Sequence, residues 1–281
     1  MIYNKISGFS DEISPDIKVQ FEALKRLNMN YFVPRGVNGK NISELTEVEA
    51  RELKALADSY GIKASSIGSP IGKIKVSDDF ESHFETYKRV VETAKILDTK
   101  YIRIFSFYHD GGQWTKEERS TVFERLSKML EYAKKNDVIL LHENEKDIYG
   151  DNTERCTDIM KELYCDNFKA IFDPANFVQS GVDTRLAFDA LKPYIEYMHI
   201  KDAKEDGTVV PSGGGNGNLP YILKSLFKEG YDGFLSLEPH LGSFVGLSDL
   251  ELNLDTKNML TGGEATFTVA YNALCEILNK L

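Results

Sequence analysis

Eight short runs of β-branched, aliphatic and aromatic residues recur along the chain at intervals too wide for hairpins: IYNKISGF from residue 2, YFV from 31, IKASSI from 62, YIRIFSF from 101, VILLHE from 138, KAIFD from 169, EYMHI from 196 and FLSLE from 234. Segments with apolar residues at helical period lie between them. A strand that follows a helix is re-entered from the same end, so this alternation forces parallel pairing. Eight such units in 281 residues match a closed α/β structure, the (β/α)8 or TIM barrel, with one domain expected over residues 1–281. An open doubly wound sheet usually needs fewer strands and often shows GxGxxG after its first strand. No such glycines follow IYNKISGF.

Local signals agree with this alternation. Ser14-Pro15 reads as a cap and first-turn proline ahead of Ile17, Phe21, Leu24 and Leu27, which share one face. Thr46 with Glu49, and Thr115 with Glu118, fit the capping box. Gly61 and Gly230 stand where a left-handed helix end favours glycine, and EATFTVAYNALCEIL from 264 supplies the eighth helix. Two irregular stretches, VVPSGGGNGNLP at 209–220 and the long connection at 241–262, fall on the strand-to-helix side, where barrel active sites are built.

A formal charge of −10 and a pI near 5.1 repel phosphate backbones and anionic membranes, so neither nucleic acid nor membrane is an expected partner. MIYNKISGFSDE lacks a basic segment followed by an apolar one, and no later run approaches about 18 apolar residues, which predicts a cytoplasmic protein. Cys156, Cys165 and Cys275 are odd in number and lack metal-type spacing, so neither a disulfide framework nor a thiolate cluster is expected.

The chemistry sits at the ends of the last four runs. VILLHENE carries His142 and Glu143, IFDPANF carries Asp173, YMHIKD carries His199 and LSLEPH carries Glu238. Glu143, Asp173, His199 and Glu238 are 30, 26 and 39 residues apart, one barrel unit each, and neighbouring strand ends stand side by side on the rim. Three carboxylates gathered in a buried place would each raise the cost of ionising the next, and a cation removes that cost. Oxygen and nitrogen donors without thiolate suit Mn2+ first, with Mg2+, Co2+ or Zn2+ as alternatives. Because neighbours along a strand point to opposite sides, Glu145, Asp202 and His142 are read as structural.

At these residues the chain resembles the xylose-isomerase-like barrel superfamily of sugar and sugar-phosphate isomerases and epimerases. SPIGK at 69–73, IRIFSF at 102–107, HENE, FDPANF, HIKD and SLEPHL all look like its strand-end motifs. The resemblance implies that Glu143, Asp173, His199 and Glu238 hold a divalent metal, with the two glutamates on opposite sides of a bound sugar. The chain departs from the family's epimerases at three places. Asn176 stands where histidine is common, Lys204 and Glu205 lie where an arginine is often found, and Val33-Pro34-Arg35 replaces a second-strand glutamate of some relatives.

The expected function is a metal-dependent isomerase or epimerase of a sugar, keto-sugar or sugar phosphate, working by proton transfer through an enediolate with Glu143 and Glu238 as acid and base. A dehydratase (lyase) of a polyol ketone is the main alternative. An abasic-site endonuclease from the same superfamily is disfavoured by the acidity of the chain, its five histidines and Asn176. A non-catalytic sugar-binding protein is disfavoured by the presence of both glutamates. Arg35, Lys73, Asn176, Lys201 and His240 are the candidate substrate contacts. The glycines at 213–215 and 217 could present amides to a phosphate, and Phe9, Phe105, Phe107, Tyr108, Trp114 and Phe177 could wall a sugar face. A homo-oligomer is compatible with all of this.

Overall fold

A computed structural model describes residues 3–243 and 262–281, so most of the long connection expected at 241–262 lies outside the described residues. The eight runs become eight barrel strands, numbered here β1 Ile6–Gly8, β2 Tyr31–Phe32, β3 Lys63–Ala64, β4 Tyr101–Ile104, β5 Ile139–Glu143, β6 Phe168–Phe172, β7 Ile195–Ile200 and β8 Phe234–Leu237. Six pair in parallel in the order β1-β8-β7-β6-β5-β4, and β2 pairs with β3. Backbone bonds close the ring: Val33 N donates to Gly8 O at 2.8 Å, and at the other junction Ile67 N donates to Tyr101 O at 2.8 Å while Arg103 N donates to Ile67 O at 3.0 Å. The barrel expected from the alternation is therefore observed.

The helices α1 Ile17–Arg26, α2 Glu47–Tyr60, α3 Phe80–Ile96, α4 Lys116–Lys135, α5 Thr153–Leu163, α6 Pro174–Gln179, α7 Thr184–Leu191, α8 Leu219–Lys228 and α9 Glu264–Leu278 cover the barrel. Both expected capping boxes form, and Gly61 ends α2 with φ 66°. The start of α1 differs from expectation. Its cap is Asp16, which accepts from Lys18 N at 2.8 Å, while Ser14 accepts from Asp16 N in the preceding turn. Aspartate competes well for a cap, and the proline is left just outside the helix. Among the described residues no helix is long and apolar enough to cross a membrane.

The main core lies between strands and helices, and a second, small cluster of Leu141, Ile171 and Tyr197 fills the barrel interior. Side chains alternate along a strand, so whatever stands two residues beyond an interior residue also points inward, at the open end. Glu143, Asp173 and His199 each follow one of these three residues by two. The β6–β7 pairing slips by one between Ala170 and Ile171, so that Ala170 faces Ile195 but Ile171 faces Tyr197. A one-residue slip exchanges the two faces of a strand. Here it turns Tyr197 and His199 inward and releases Glu196 to accept from the Tyr101 hydroxyl.

Candidate metal centre

Strand parity delivers Glu143, Asp173, His199 and Glu238 to one point. All four are buried, and one ligand atom from each lies within 4.8 Å of the others. His199 Nδ1 is 2.8 Å from Glu143 Oε1, 3.1 Å from Glu238 Oε2 and 3.7 Å from Asp173 Oδ2. The Asp-Pro step explains how Asp173 is presented. Asp173 caps α6 through Oδ1, which accepts from Asn176 N at 2.9 Å, and Pro174 occupies the first turn, where no amide is needed. Asn144 then clasps the Asp173 backbone from both sides, accepting from its amide and donating to its carbonyl at 2.9 Å each. The second oxygen, Oδ2, is left facing the centre.

Asp173 Oδ2 and Glu238 Oε2 are buried and meet their neighbours as charges, without a well-formed hydrogen bond among the described residues. Buried carboxylate oxygens in that state are costly unless a cation serves them. His199 is pushed toward its charged form: burial opposes protonation, but the charges of Glu143 and Glu238 outweigh it, and its pKa rises well above the usual value. For Glu238 burial favours the neutral acid, yet Lys201 and His199 prevail and hold it well below the usual carboxylate range. Three carboxylates and an imidazole form a donor set that fits a divalent ion.

Cationic and polar side chains surround the four. Lys201, two residues beyond His199 on the same parity, lies 3.2 Å from Asp173 Oδ2 and 3.7 Å from Glu238 Oε2. Arg35 meets Glu238 Oε1 at 3.1 Å, Asp11 at 2.8 Å and Glu12 at 3.3 Å. Lys73 pairs with Glu145 at 3.0 Å and lies over the Phe105 ring. Asn176 donates to Glu143 Oε1 at 3.3 Å and to Asn144 O at 2.9 Å. His240, with φ 46°, donates its amide to Glu12 at 2.8 Å and places Nε2 3.6 Å from both Glu12 and Glu238. All five candidate substrate contacts thus touch the carboxylates of the site or their partners.

One residue missing from the sequence expectations is Arg103. One guanidinium nitrogen, Nη1, lies 3.1 Å from Glu143 Oε2 and 3.3 Å from Glu238 Oε1, joining the two glutamates from the side opposite His199. Its signal was present in YIRIF: Arg103 follows the inward Tyr101 by two, as Glu143 follows Leu141. Asp11 and Glu12, on the turn after β1, were also missed. Burial raises the Glu12 pKa to about 7, against the pull of His240 and Arg35.

Other expectations change. Glu145 is part of the mouth rather than a remote structural group, because it shares the parity of Glu143 and holds Lys73. His142 does point away, stacked near Phe168 and against Gly150, with burial lowering its pKa to about 3. Phe9 and Phe105 border the site beneath Arg35, Arg103 and Lys73, whereas Phe107, Trp114 and Phe177 pack against Phe80, Tyr149 and Phe172. The amides of Gly213, Gly215 and Gly217 do not face an open phosphate position. They donate to the buried Asp202.

The chain belongs to the xylose isomerase-like TIM barrel family, whose model matches residues 21–256. Among curated relatives, 3-dehydroshikimate dehydratase of Bacillus anthracis is 24% identical over 156 residues, 56% of this chain and 55% of that protein. Inosose dehydratase of Mesomycoplasma hyopneumoniae is 22% identical over 195 residues, 58% of this chain and 64% of that protein. The match therefore spans little more than half the length of these relatives. Among solved structures, D-psicose 3-epimerase of Clostridium cellulolyticum H10 with D-tagatose has a TM-score of 0.77 at 17% identity, covering 98% of each chain. The IOLI protein with a zinc atom has a TM-score of 0.76 at 18% identity, also covering 98% of each chain. At these identities the solved structures establish the fold.

Proposed function

We propose that this protein is a metal-dependent isomerase or epimerase of a sugar or related polyol ketone, with Glu143 and Glu238 as the acid/base pair. The observation that carries the reading is the buried ring of four ligand atoms within 4.8 Å, with two carboxylates joined across it by Arg103. Glu143, Asp173, His199 and Glu238 would hold the ion, Mn2+ by first choice. Bound there, a divalent ion supplies Lewis-acid stabilisation for the negative charge that develops on a substrate oxygen.

The chain's own residues do the rest. Each glutamate has an inner oxygen toward His199 and an outer oxygen toward Arg103, so each can face the centre and still exchange a proton at the outer atom. One glutamate removes the proton from the carbon beside the carbonyl, and the electron pair passes to oxygen as an enediolate. The other returns a proton. Delivery to the opposite face of the same carbon gives epimerisation, and delivery to the neighbouring carbon, with the hydroxyl proton passing from one enediolate oxygen to the other, gives isomerisation. Arg103 and Arg35 orient the carboxylates by hydrogen bonds to their outer oxygens. Phe9 and Phe105 exclude water from the floor, which strengthens every charge interaction above them.

A dehydratase is the second reading, favoured by the names of the two curated relatives. It shares the first proton removal and differs in the next step, when a β-hydroxyl leaves with a proton as water. Incubating the Mn2+-loaded chain in D2O with D-tagatose, D-fructose, an inosose and 3-dehydroshikimate separates these outcomes. Isomerase chemistry gives deuterium at the carbon beside the carbonyl with the mass otherwise kept. Dehydration gives a product lighter by one water. No deuterium uptake and no water loss with any of the four would count against both readings.

A further inference from the structure

We infer that the site takes an unphosphorylated substrate and that Asp202 is the residue that closes it to phosphate. The inference rests on the polyol-ketone reading above and narrows its substrate class. In many barrels a phosphate is held where a loop after one of the last two strands runs into a helix, by backbone amides that converge on it. The loop after β7 has that form here, with Gly213, Gly214, Gly215 and Gly217 ahead of α8.

Its converging amides already have an anion. Asp202, fully buried, accepts from Gly213 N at 2.8 Å and Gly215 N at 3.1 Å through Oδ2, and from Gly217 N at 2.8 Å through Oδ1. The approach is close enough that a Cβ on Gly215 or Gly217 would stand 2.4 or 2.6 Å from Asp202 Oδ1. The glycines are thus accounted for by an internal carboxylate. Pro220, in the first turn of α8, removes one more donor.

The cations of the mouth point the same way. Arg103 places Nη1 on Glu143 and Glu238, Nη2 on Gly68 O and Nε on Ser69 O. Arg35 meets Asp11, Glu12 and Glu238, Lys73 meets Glu145, and Lys201 meets Asp173 and Glu238. By formal charge these four cations face six carboxylates, a deficit of two that a divalent ion makes good. A phosphate dianion would bring a new, unmatched charge into a buried site already balanced.

The test uses the full chain and two readouts. Without metal, in EDTA, inorganic phosphate should not raise the wild-type Tm beyond a chloride control of equal ionic strength. With Mn2+ in D2O, kcat/KM for exchange should favour D-tagatose and D-fructose over their 6-phosphates by at least about tenfold. Asp202→Ser vacates the cradle, and the folded variant should gain a saturable Tm rise with phosphate. If that variant fails to fold, the wild-type measurements decide. A saturable phosphate response in wild type, faster exchange of the 6-phosphates, or no gain in folded Asp202→Ser would each overturn the inference. Exchange with neither class overturns the isomerase reading instead, and the Tm measurements still decide whether the loop is closed.

Discussion

The two halves of the barrel rim are built differently. From β4 to β8 the strands run four to six residues and pair continuously, and their inward positions deliver Arg103, Glu143, Asp173, His199 and Glu238. From β1 to β3 the strands run two or three residues, and isolated backbone bonds at Val33 and Ile67, rather than a continuous ladder, complete the ring at its two junctions. Pro34, which cannot donate to a ladder, follows β2 almost at once. That short-stranded half supplies Phe9, Asp11, Glu12, Arg35 and, on the loop after β3, Lys73. The candidate ligands therefore stand on rigid ladder, while turns carry most of the charges and rings that support them. A constellation that must keep its geometry belongs on the stiffer elements.

The largest expected effects come from the ladder half. Glu143→Gln keeps a ligand oxygen but removes the proton acceptor, and exchange of the best substrate should fall by about 10² to 10⁴-fold. His199→Ala removes the only nitrogen donor of the four. Wild type should carry about one divalent ion per chain by elemental analysis, and this variant far less. Retained metal in the histidine variant would contradict its assignment as a ligand. If Arg35→Ala lowers exchange more than Glu143→Gln does, the division of labour between the halves is wrong.

Next is Arg103→Met, which removes the guanidinium shared by Glu143 and Glu238 and leaves His199 as the remaining group between them. Removing one partner of a buried charge group costs about 3–5 kcal/mol. The loss should appear in full in the urea midpoint of metal-free protein and shrink when Mn2+ is bound, because the ion neutralises the same two carboxylates. Equal losses in both states would show that arginine and ion serve different charges.

How far the sequence reveals this arrangement depends on where each residue sits relative to its strand end. Glu143, Asp173, His199 and Glu238 close the four long runs of the ladder half, so the alternation that predicts the barrel also brings them together. Arg103 sits inside its run, and only the stagger of strands carries a mid-strand residue of β4 beside the ends of β5 and β8. Asp202 was visible as an acid, but its partners lie 11 to 15 residues further on, in a loop whose path no periodicity fixes. The inward turn of His199 depends on the β6–β7 slip, which leaves no mark in composition.

Asn176 offers a smaller, sharper test of the ladder half. Its amide holds Glu143 Oε1 and the Asn144 carbonyl, so Asn176→Ala should weaken Mn2+ binding about tenfold by calorimetric titration. Unchanged affinity would mean that His199 and Arg103 alone suffice to fix Glu143.

A last comparison sets side by side two histidines that the fold treats in opposite ways. His199 lies inside among carboxylates, whereas His142, on the outer face of β5, is buried without a charge partner, and its pKa falls from 6.5 to about 3. Between those values the unfolded chain binds a proton that the folded chain refuses, so the stability His142 contributes is complete above pH 6.5 and is lost as pH falls toward 3. At pH 5 the loss amounts to about 2 kcal/mol relative to pH 7. His142→Leu should leave the pH 7 urea midpoint nearly unchanged once its own packing change is subtracted, and it should flatten the decline between pH 7 and 5. An equally steep acid limb in that variant would place the controlling proton elsewhere, with Glu238 and its neighbours the next groups to examine.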